Sequence, residues 1–545
     1  MQPSRGSRLL AKRLGEKRVT VTTSSGLDLS YDDVPYPDLC YAVTHPGRLA
    51  AIGRLLNIQP VQPQACRVLE IGCAGGGNIV PMAFSLPDST FVGIDLSARQ
   101  VDAATDFAGR LGLTNVQLRA MDMMDVTAEF GEFDYIVAHG MYSWVPPAVQ
   151  DKILSICRQN LSPRGIAYVS YNTFPGWHML SMAREMMLYH TRNIAEPRAR
   201  AQQARAVIKR FRAMVPDDDQ FVLASFLDAY VDTRLGSYAG NDAWEDSSLL
   251  HDELGAINDP LYFHQFVAHA QRHGLRYLAE ATYPQTMTHD LPPETIAELH
   301  DMAGDVIEFE QSLDYVRQQS FRRTLLCHEA VHIDRTPGVD GLHDLYAVSR
   351  ARLVSNDDGR LAFRSSDGAS FLADDPVTTA ALDHLSVVSP RAIHFPALLD
   401  EACARVGRQP TQSMAKSLAA DLLQASALSN QHAEWLAYDP ALSAFPSERP
   451  LASPVVRLQA QQSALVCNLR HEQMVLSGLG RALVPFLDGV HTRGDMLGEL
   501  LSMLDEGRMS APKRQTVRSD QIEQQLSGDI ERTLLWLGRA AILLR

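Results

Sequence analysis

No apolar run in the 545-residue chain approaches the roughly 18 residues a membrane helix needs, so the sequence does not read as a membrane-spanning protein. Cysteine is scarce: seven residues, an odd number, never spaced as C-x-x-C. That excludes a disulfide framework and a cysteine-based zinc site, and it points to a reducing cytoplasm. Positive charge is also short. Lys and Arg number 50 against 64 Asp and Glu, a formal net charge of −14, whereas a protein whose main partner is nucleic acid needs a basic surface. An acidic surface can instead steer a cationic substrate. The N-terminal MQPSRGSRLLAKRLGEKRVT is basic but lacks a continuous apolar block, and residues 1–30 read as a loose basic arm, not a secretory signal. What is present is globular: 46% hydrophobic and 21% charged residues, in a chain long enough for about three or four domains.

From residue 66 to 172 short apolar runs alternate with amphipathic stretches of helix length. The runs are CRVLEIG, STFVGID, VQLRAMD, FDYIVAHG and GIAYVSYN. SARQVDAATDFAGRLG separates the second from the third, and PAVQDKILSICRQNL the fourth from the fifth. In the last stretch Val149, Ile153, Ile156 and Leu161 recur at helical spacing, with Pro163 and Gly165 closing the helix. Strands alternating with helices predict βαβ units and a parallel, Rossmann-like α/β sheet.

Beyond Asn172, residues 177–250 are rich in Ala, Arg, Met and Gln at helical spacing and predict a helical insertion over the strand ends. YFHQFVAHAQRHGLRYLAEATY then reads as a helix, a stop at Gly274, and a strand from Leu275 to Glu280 that returns to the sheet edge. The resulting division is 1–30, arm; 31–176, nucleotide domain with an N-terminal lid; 177–336, helical insertion; 337–375, small β linker; and 376–545, mainly helical C-terminal domain. Within the last, residues 376–438 predict three helices leading into a hairpin, the outline of a winged helix. Residues 376–440 carry four basic and six acidic side chains, a net −2, which favours protein packing over DNA.

VLEIGCAGGGN, residues 68–78, ends a strand in glycines, as nucleotide-binding turns do. As a dinucleotide motif it is broken, because Ala74 replaces the second glycine. Glu70 lies two residues before Gly72. A pyrophosphate needs backbone amides and no such acid, whereas the aminoacyl end of S-adenosylmethionine (SAM) carries an ammonium that an acid can engage. Asp95 ends the second strand 19 residues after Gly76, placed for ribose hydroxyls of either cofactor. In MDMMD, Asp122 can accept from an adenine amino group between Leu96 and Met123, or Asp122 and Asp125 can simply cap a helix. Together these residues favour SAM over NAD.

The chain resembles the class I SAM-dependent methyltransferases. More narrowly it resembles the bacterial members with a methyltransferase regulatory domain and a C-terminal winged helix, among them the rickettsial outer-membrane-protein lysine methyltransferases. The matching pieces are YDDVPY, THP, LEIGCAGGGN, GIDLSARQ, HGMYSWVP, YVSYNTFPGWH, HDELGAINDPLYFHQFVAHAQRHGLRYLAEA and FRRTLLCH. The resemblance implies a SAM site at Glu70, Gly72, Cys73, Ala74, Gly76, Asn78, Asp95, Leu96, Asp122, Met123 and His139, with Tyr31, Tyr36 and His45 folding over it as a lid. The loops after strands four and five then hold the chemistry. His139, Tyr142, Trp144 and Tyr171 are the catalytic candidates, and Trp144, Asn172, Trp177 and His178 the substrate contacts. Ring faces suit an alkylammonium, and His139 or Tyr142 could take its proton or orient the amine. Equally, Trp144 and Trp177 could only pack beneath the insertion, and the lid residues could only pack an N-terminal helix. The expected reaction is methyl transfer to a protein lysine. The alternatives are a small-molecule N-, O- or C-methyltransferase and a non-catalytic SAM-binding scaffold. Neither nucleic acid nor membrane insertion is expected, and a homodimer is plausible.

HEAVH, residues 328–332, has the histidine spacing of a zinc protease helix, but position 335 is Arg and the next Glu after Glu329 is Glu401. The sequence therefore predicts no metal there, and His328 as a packing residue.

Overall fold

The computed structural model describes residues 34–216, 222–235, 246–282, 284, 291–335, 339–355, 361–508 and 519–544. The basic arm and Tyr31 lie outside the described residues. The centre is a seven-stranded sheet, ordered β3-β2-β1-β4-β5-β7-β6. Its strands are β1 Arg67–Ile71, β2 Thr90–Asp95, β3 Val116–Ala120, β4 Phe133–Ala138, β5 Leu161–Asn172, β6 Leu275–Glu280 and β7 Phe321–His328. β1 to β5 are the five apolar runs of the sequence, and they pair in parallel. β7 pairs antiparallel with β5 on one side and β6 on the other, so β6 is the edge that the sequence predicted.

The chain leaves β1 toward β2 and β3, and returns to place β4 on β1's other side. The carboxyl ends of β1 and β4 thus flank a topological switch point, where ligands of such sheets bind.

Helices cover both faces. In chain order they are α1 Pro46–Leu55, α2 Ile79–Ser85, α3 Ala98–Arg110 and α4 Pro147–Gln159, then α5 Gly176–Thr191, α6 Pro197–Met214 and α7 Val222–Tyr230 of the insertion, and α8 Phe263–Arg272, α9 Pro293–Met302 and α10 Val306–Arg317. Ser97 caps α3 by accepting from the Gln100 amide. α4 stops at Asn160, whose side-chain amide donates to the carbonyls of Thr127 and Gly131. Leu161, assigned to this helix by periodicity, instead begins β5.

All ten residues of α1 are buried. On that face Val68, Tyr135 and Tyr168 share one core with Leu398, Leu418 and Trp435 of the C-terminal half. The opposite face packs Leu69, Ile136 and Val169 against Ile153 of α4 and Phe266 of α8.

The C-terminal half holds β8 Tyr346–Val348, a small sheet of β9 Arg352–Ser355, β10 Leu361–Arg364 and β11 Ser370–Leu372, and then α11 Pro376–Val388, β12 Ile393–His394, α12 Phe395–Arg405, α13 Gln412–Leu428 and β13 Glu434–Leu436. The three helices stand where the sequence put them, but the hairpin does not form: β12 and β13 each pair with the upstream β8. A hairpin does exist further on, β14 Leu465–Cys467 with β15 Gln473–Val475, in a separate core with α14 Pro454–Gln462 and α15 Gly478–Leu483, α16 Arg493–Asp505 and α17 Ser519–Arg539. Among the described residues no helix is long and apolar enough to cross a membrane.

Candidate active site

The turn after β1 is pulled inward by two hydrogen bonds, from the amides of Gly72 and Cys73 to the carbonyl of Ile94. Gly72 has φ +75°, and a side chain there would run into the thioether of Met141. Gly76 has φ +82°, and a methyl group on it would come within 2.9 Å of Ala104 Cβ and of Val80. One position lets the Met141 side chain lie against the turn, and the other lets α2 and α3 close behind it. Ala74 tolerates φ +45° without being glycine, its amide held 2.9 Å from Asp95 Oδ2.

Glu70 is buried, and its Oε1 accepts from the Asn78 amide at 2.6 Å. Its Oε2 has no hydrogen-bond partner among the described residues. Burial, aided by nearby Asp95, pushes its pKa up to about 7. A buried carboxylate with one unsatisfied oxygen is an acceptor that a cation would complete. The sulfonium cofactor's ammonium is such a group, so this turn fits SAM. Asp95 turns Oδ1 to the Ser97 amide, and Leu96 beside it is 47% exposed, an apolar surface free to cover a ring. Asp122 accepts from the Met124 amide and so does the capping work that the sequence left open, next to half-buried Met123.

The remaining turn assignments change. Cys73 is 4% exposed and its thiol packs into the core against Gly93, so its side chain does not reach the crevice. Asn78 is a hub: its Oδ1 accepts from the Tyr41 amide at 2.9 Å and from His471 at 2.7 Å, while its Nδ2 also reaches Thr44. His45 is not a lid residue. It is buried, accepts from the Gly47 amide, and stacks on Tyr438 of the C-terminal half at 5.4 Å. Tyr36 does sit in a segment that crosses the crevice, with its hydroxyl donating to Asp252. The sequence reading missed two residues of that segment. Asp38 accepts from the Gly75 amide, and Tyr41 packs on His139 with ring centroids 3.7 Å apart.

His139 directly follows β4, beneath Tyr41. Its Nδ1 lies 2.8 Å from the Tyr168 hydroxyl. Burial, reinforced by Arg323, drives its pKa down to about 3, so it is a neutral and weakly basic imidazole. Tyr142 and Tyr171 are both fully buried, and neither hydroxyl points at the crevice. That of Tyr142 meets His269 at 2.6 Å, and that of Tyr171 meets Thr324 at 3.0 Å. Their aromatic rings are core, which removes them as catalytic candidates.

Trp177 is 1% exposed and makes an edge contact with half-buried Trp144, so for Trp177 packing beneath the insertion is what the fold uses. Asn172 donates to Asn258 at 2.8 Å, bringing the GAIND stretch to the end of β5. His178 is exposed and stacks on Phe174. His328 is the last residue of a strand, not part of a helix, and its Nε2 meets the Leu161 carbonyl, which disposes of the protease motif.

Three family models match the chain: a methyltransferase domain over residues 68–165, a predicted methyltransferase regulatory domain over 245–328, and a PKMT C-terminal winged helix domain over 448–542. The winged-helix match thus lies downstream of the 376–438 outline, on the β14–β15 hairpin. Uncharacterized protein RP789 of Rickettsia prowazekii (strain Madrid E) is 30% identical over 498 residues, 88% of this chain and 87% of its own. The structure of PKMT2 from Rickettsia typhi superposes with a TM-score of 0.82 at 27% identity, covering 94% of this chain and 100% of that one. Its complex with AdoHcy gives 0.80 at 28% identity, with the same coverage. The glycine turn, the switch-point crevice and the three domain matches agree: the chain belongs to the bacterial class I SAM-dependent methyltransferases that carry a methyltransferase regulatory domain and a C-terminal winged helix.

Proposed function

We propose that this methyltransferase acts on lysine side chains of a protein. The observation that carries the reading is likeness over nearly the whole chain to rickettsial PKMT2, accessory domains included, and not over the catalytic sheet alone. SAM supplies an activated methyl on a sulfonium, so the protein's task is to bind, orient and desolvate.

In this reading Glu70 holds the aminoacyl ammonium, with Asn78 fixing the carboxylate. The turn from Gly72 to Gly76 carries the cofactor, Asp95 receives the ribose hydroxyls, and Leu96 and Met123 flank the base. Tyr36, Asp38 and Tyr41 close over them. A lysine amine with an ordinary pKa of about 10.4 must lose its proton before attack. Neutral His139, held by Tyr168, orients the amine; it is too weak a base to take the proton, which passes to water before the amine enters the site. Asn172, with Asn258, marks the side from which the substrate enters.

The test is incubation with methyl-labelled SAM, with candidate proteins in one arm and a metabolite extract in the other. Label on protein lysines, lost in Asp95→Ala, supports the proposal. Label confined to small molecules makes the enzyme a small-molecule methyltransferase. SAM binding with no transfer to any acceptor makes it a scaffold.

A further inference from the structure

The Tyr142 hydroxyl, turned away from the cofactor crevice, leads to a second cluster. It lies 2.6 Å from Nδ1 of His269 on α8, one turn before His273, which caps the C-terminus of that helix. The Nε2 atoms of the two histidines lie 3.2 and 2.9 Å from a single oxygen, Oδ1 of Asp151, on α4. Among the described residues this is the one group of three His, Cys, Asp or Glu donors whose ligand atoms all fall within 4.8 Å of one another.

We infer that Asp151, His269 and His273 form a binding site for a divalent transition ion of the zinc class, joining α4 of the methyltransferase domain to α8 of the regulatory match. Ligand nitrogens and oxygens about 2.0–2.2 Å from a tetrahedral zinc stand roughly 3.3 Å apart, so the two nitrogen–oxygen distances need open by only a few tenths of an ångström. Histidines at i and i+4 share one helix face, and no change of backbone is required to aim both at one point.

The ligand set selects the ion. Two imidazoles and one carboxylate suit zinc, cobalt or nickel, and supply too few oxygens for calcium or magnesium. Tyr142 supplies the outer support that metal-ligating histidines use: with Nε2 given to the ion, Nδ1–H donates to the phenol oxygen, fixing the tautomer. The side chains of His269 and His273 are 13% and 18% exposed and that of Asp151 63%, so the ion enters from the carboxylate side and keeps water there. This explains why Tyr142, in the turn after β4, points its hydroxyl into the regulatory domain.

The test uses full-length, tag-free protein stripped with chelator. Zinc is titrated in competition with a chromophoric chelator, and cobalt is followed by its visible absorption. One equivalent is expected, with cobalt bands typical of four or five ligands. That equivalent should be lost in His273→Ala and in Asp151→Asn, with SAM binding retained in both as the sign of a folded chain. Absence of a stoichiometric equivalent in the wild type overturns the inference, as does an equivalent that survives both substitutions. Where His273→Ala loses SAM binding, Asp151→Asn decides alone, since its exposed position leaves the core intact.

Discussion

Nε2 of His471 lies 2.7 Å from Oδ1 of Asn78, across 393 residues of chain. Both side chains are buried, and the same Asn78 donates to Glu70 at 2.6 Å. The C-terminal domain therefore holds the cofactor turn through one amide. Losing a hydrogen bond to a buried acceptor costs about 1–3 kcal/mol. His471→Ala is expected to weaken SAM binding by roughly five- to tenfold, measured by calorimetric titration. Unchanged affinity would mean that Asn78 keeps Glu70 in place unaided.

Glu70 makes SAM binding sensitive to pH. Burial raises its pKa to about 7, and an ammonium ligand pairs only with the ionised form. The dissociation constant should therefore fall as pH rises through about 7 and level off above it. Glu70→Gln should flatten the curve and weaken binding by roughly 10- to 100-fold, the worth of a charge-assisted hydrogen bond. A wild-type curve flat between pH 6 and 8 would count against Glu70 as the ammonium's partner.

Tyr171→Phe separates core from catalysis. Its hydroxyl reaches only Thr324, and its ring stacks on Phe266 at 4.1 Å. Turnover in the labelled-methyl assay is expected to stay within about twofold of wild type, with a stability loss of about 1 kcal/mol. A large fall in kcat at unchanged stability would return the residue to the chemistry.

Arg322 offers a stability test with a pH signature. It bonds Glu280, Glu310 and Asp314, all four side chains being 3–5% exposed. Removing one side of a buried pair costs about 3–5 kcal/mol because charge is left uncompensated. Burial raises the Asp314 pKa to about 7, so the stability it contributes as a neutral acid is present below pH about 4 and lost as pH rises through about 7. Without the guanidinium Asp314 and Glu310 keep their protons more readily. Arg322→Met should therefore depress Tm more at pH 8 than at pH 6, as scanning calorimetry would show.

The sheet was legible because its central strands β1, β4 and β5 are largely buried and so read as apolar runs, while half-exposed β3 was placed by the helix before it. The turn was legible for the same local reason, since Glu70, Gly72, Gly76 and Asp95 stand close together along the chain. What periodicity misplaced lay at boundaries. Leu161 fits a helical stripe, yet Asn160 ends the helix through bonds to Thr127 and Gly131 that no local pattern encodes. Tyr142 and Tyr171 looked catalytic because strand ends carry chemistry, whereas the direction of a hydroxyl depends on α8 and β7, distant in sequence. Asp38 lies two residues past YDDVPY, and nothing local marks it as the acceptor for the distant Gly75 amide. His471 had no local signal at all.

β7 contributes one more consequence. Ala167 to Asn172 of β5 are paired along their length with Leu326 to Phe321. The segment matched as regulatory therefore ends inside the catalytic sheet. A gene fragment stopping near residue 176 would release β5 as a bare, apolar edge, inviting chains to stack on one another. The two matched domains share one sheet and are expected to fold as one unit.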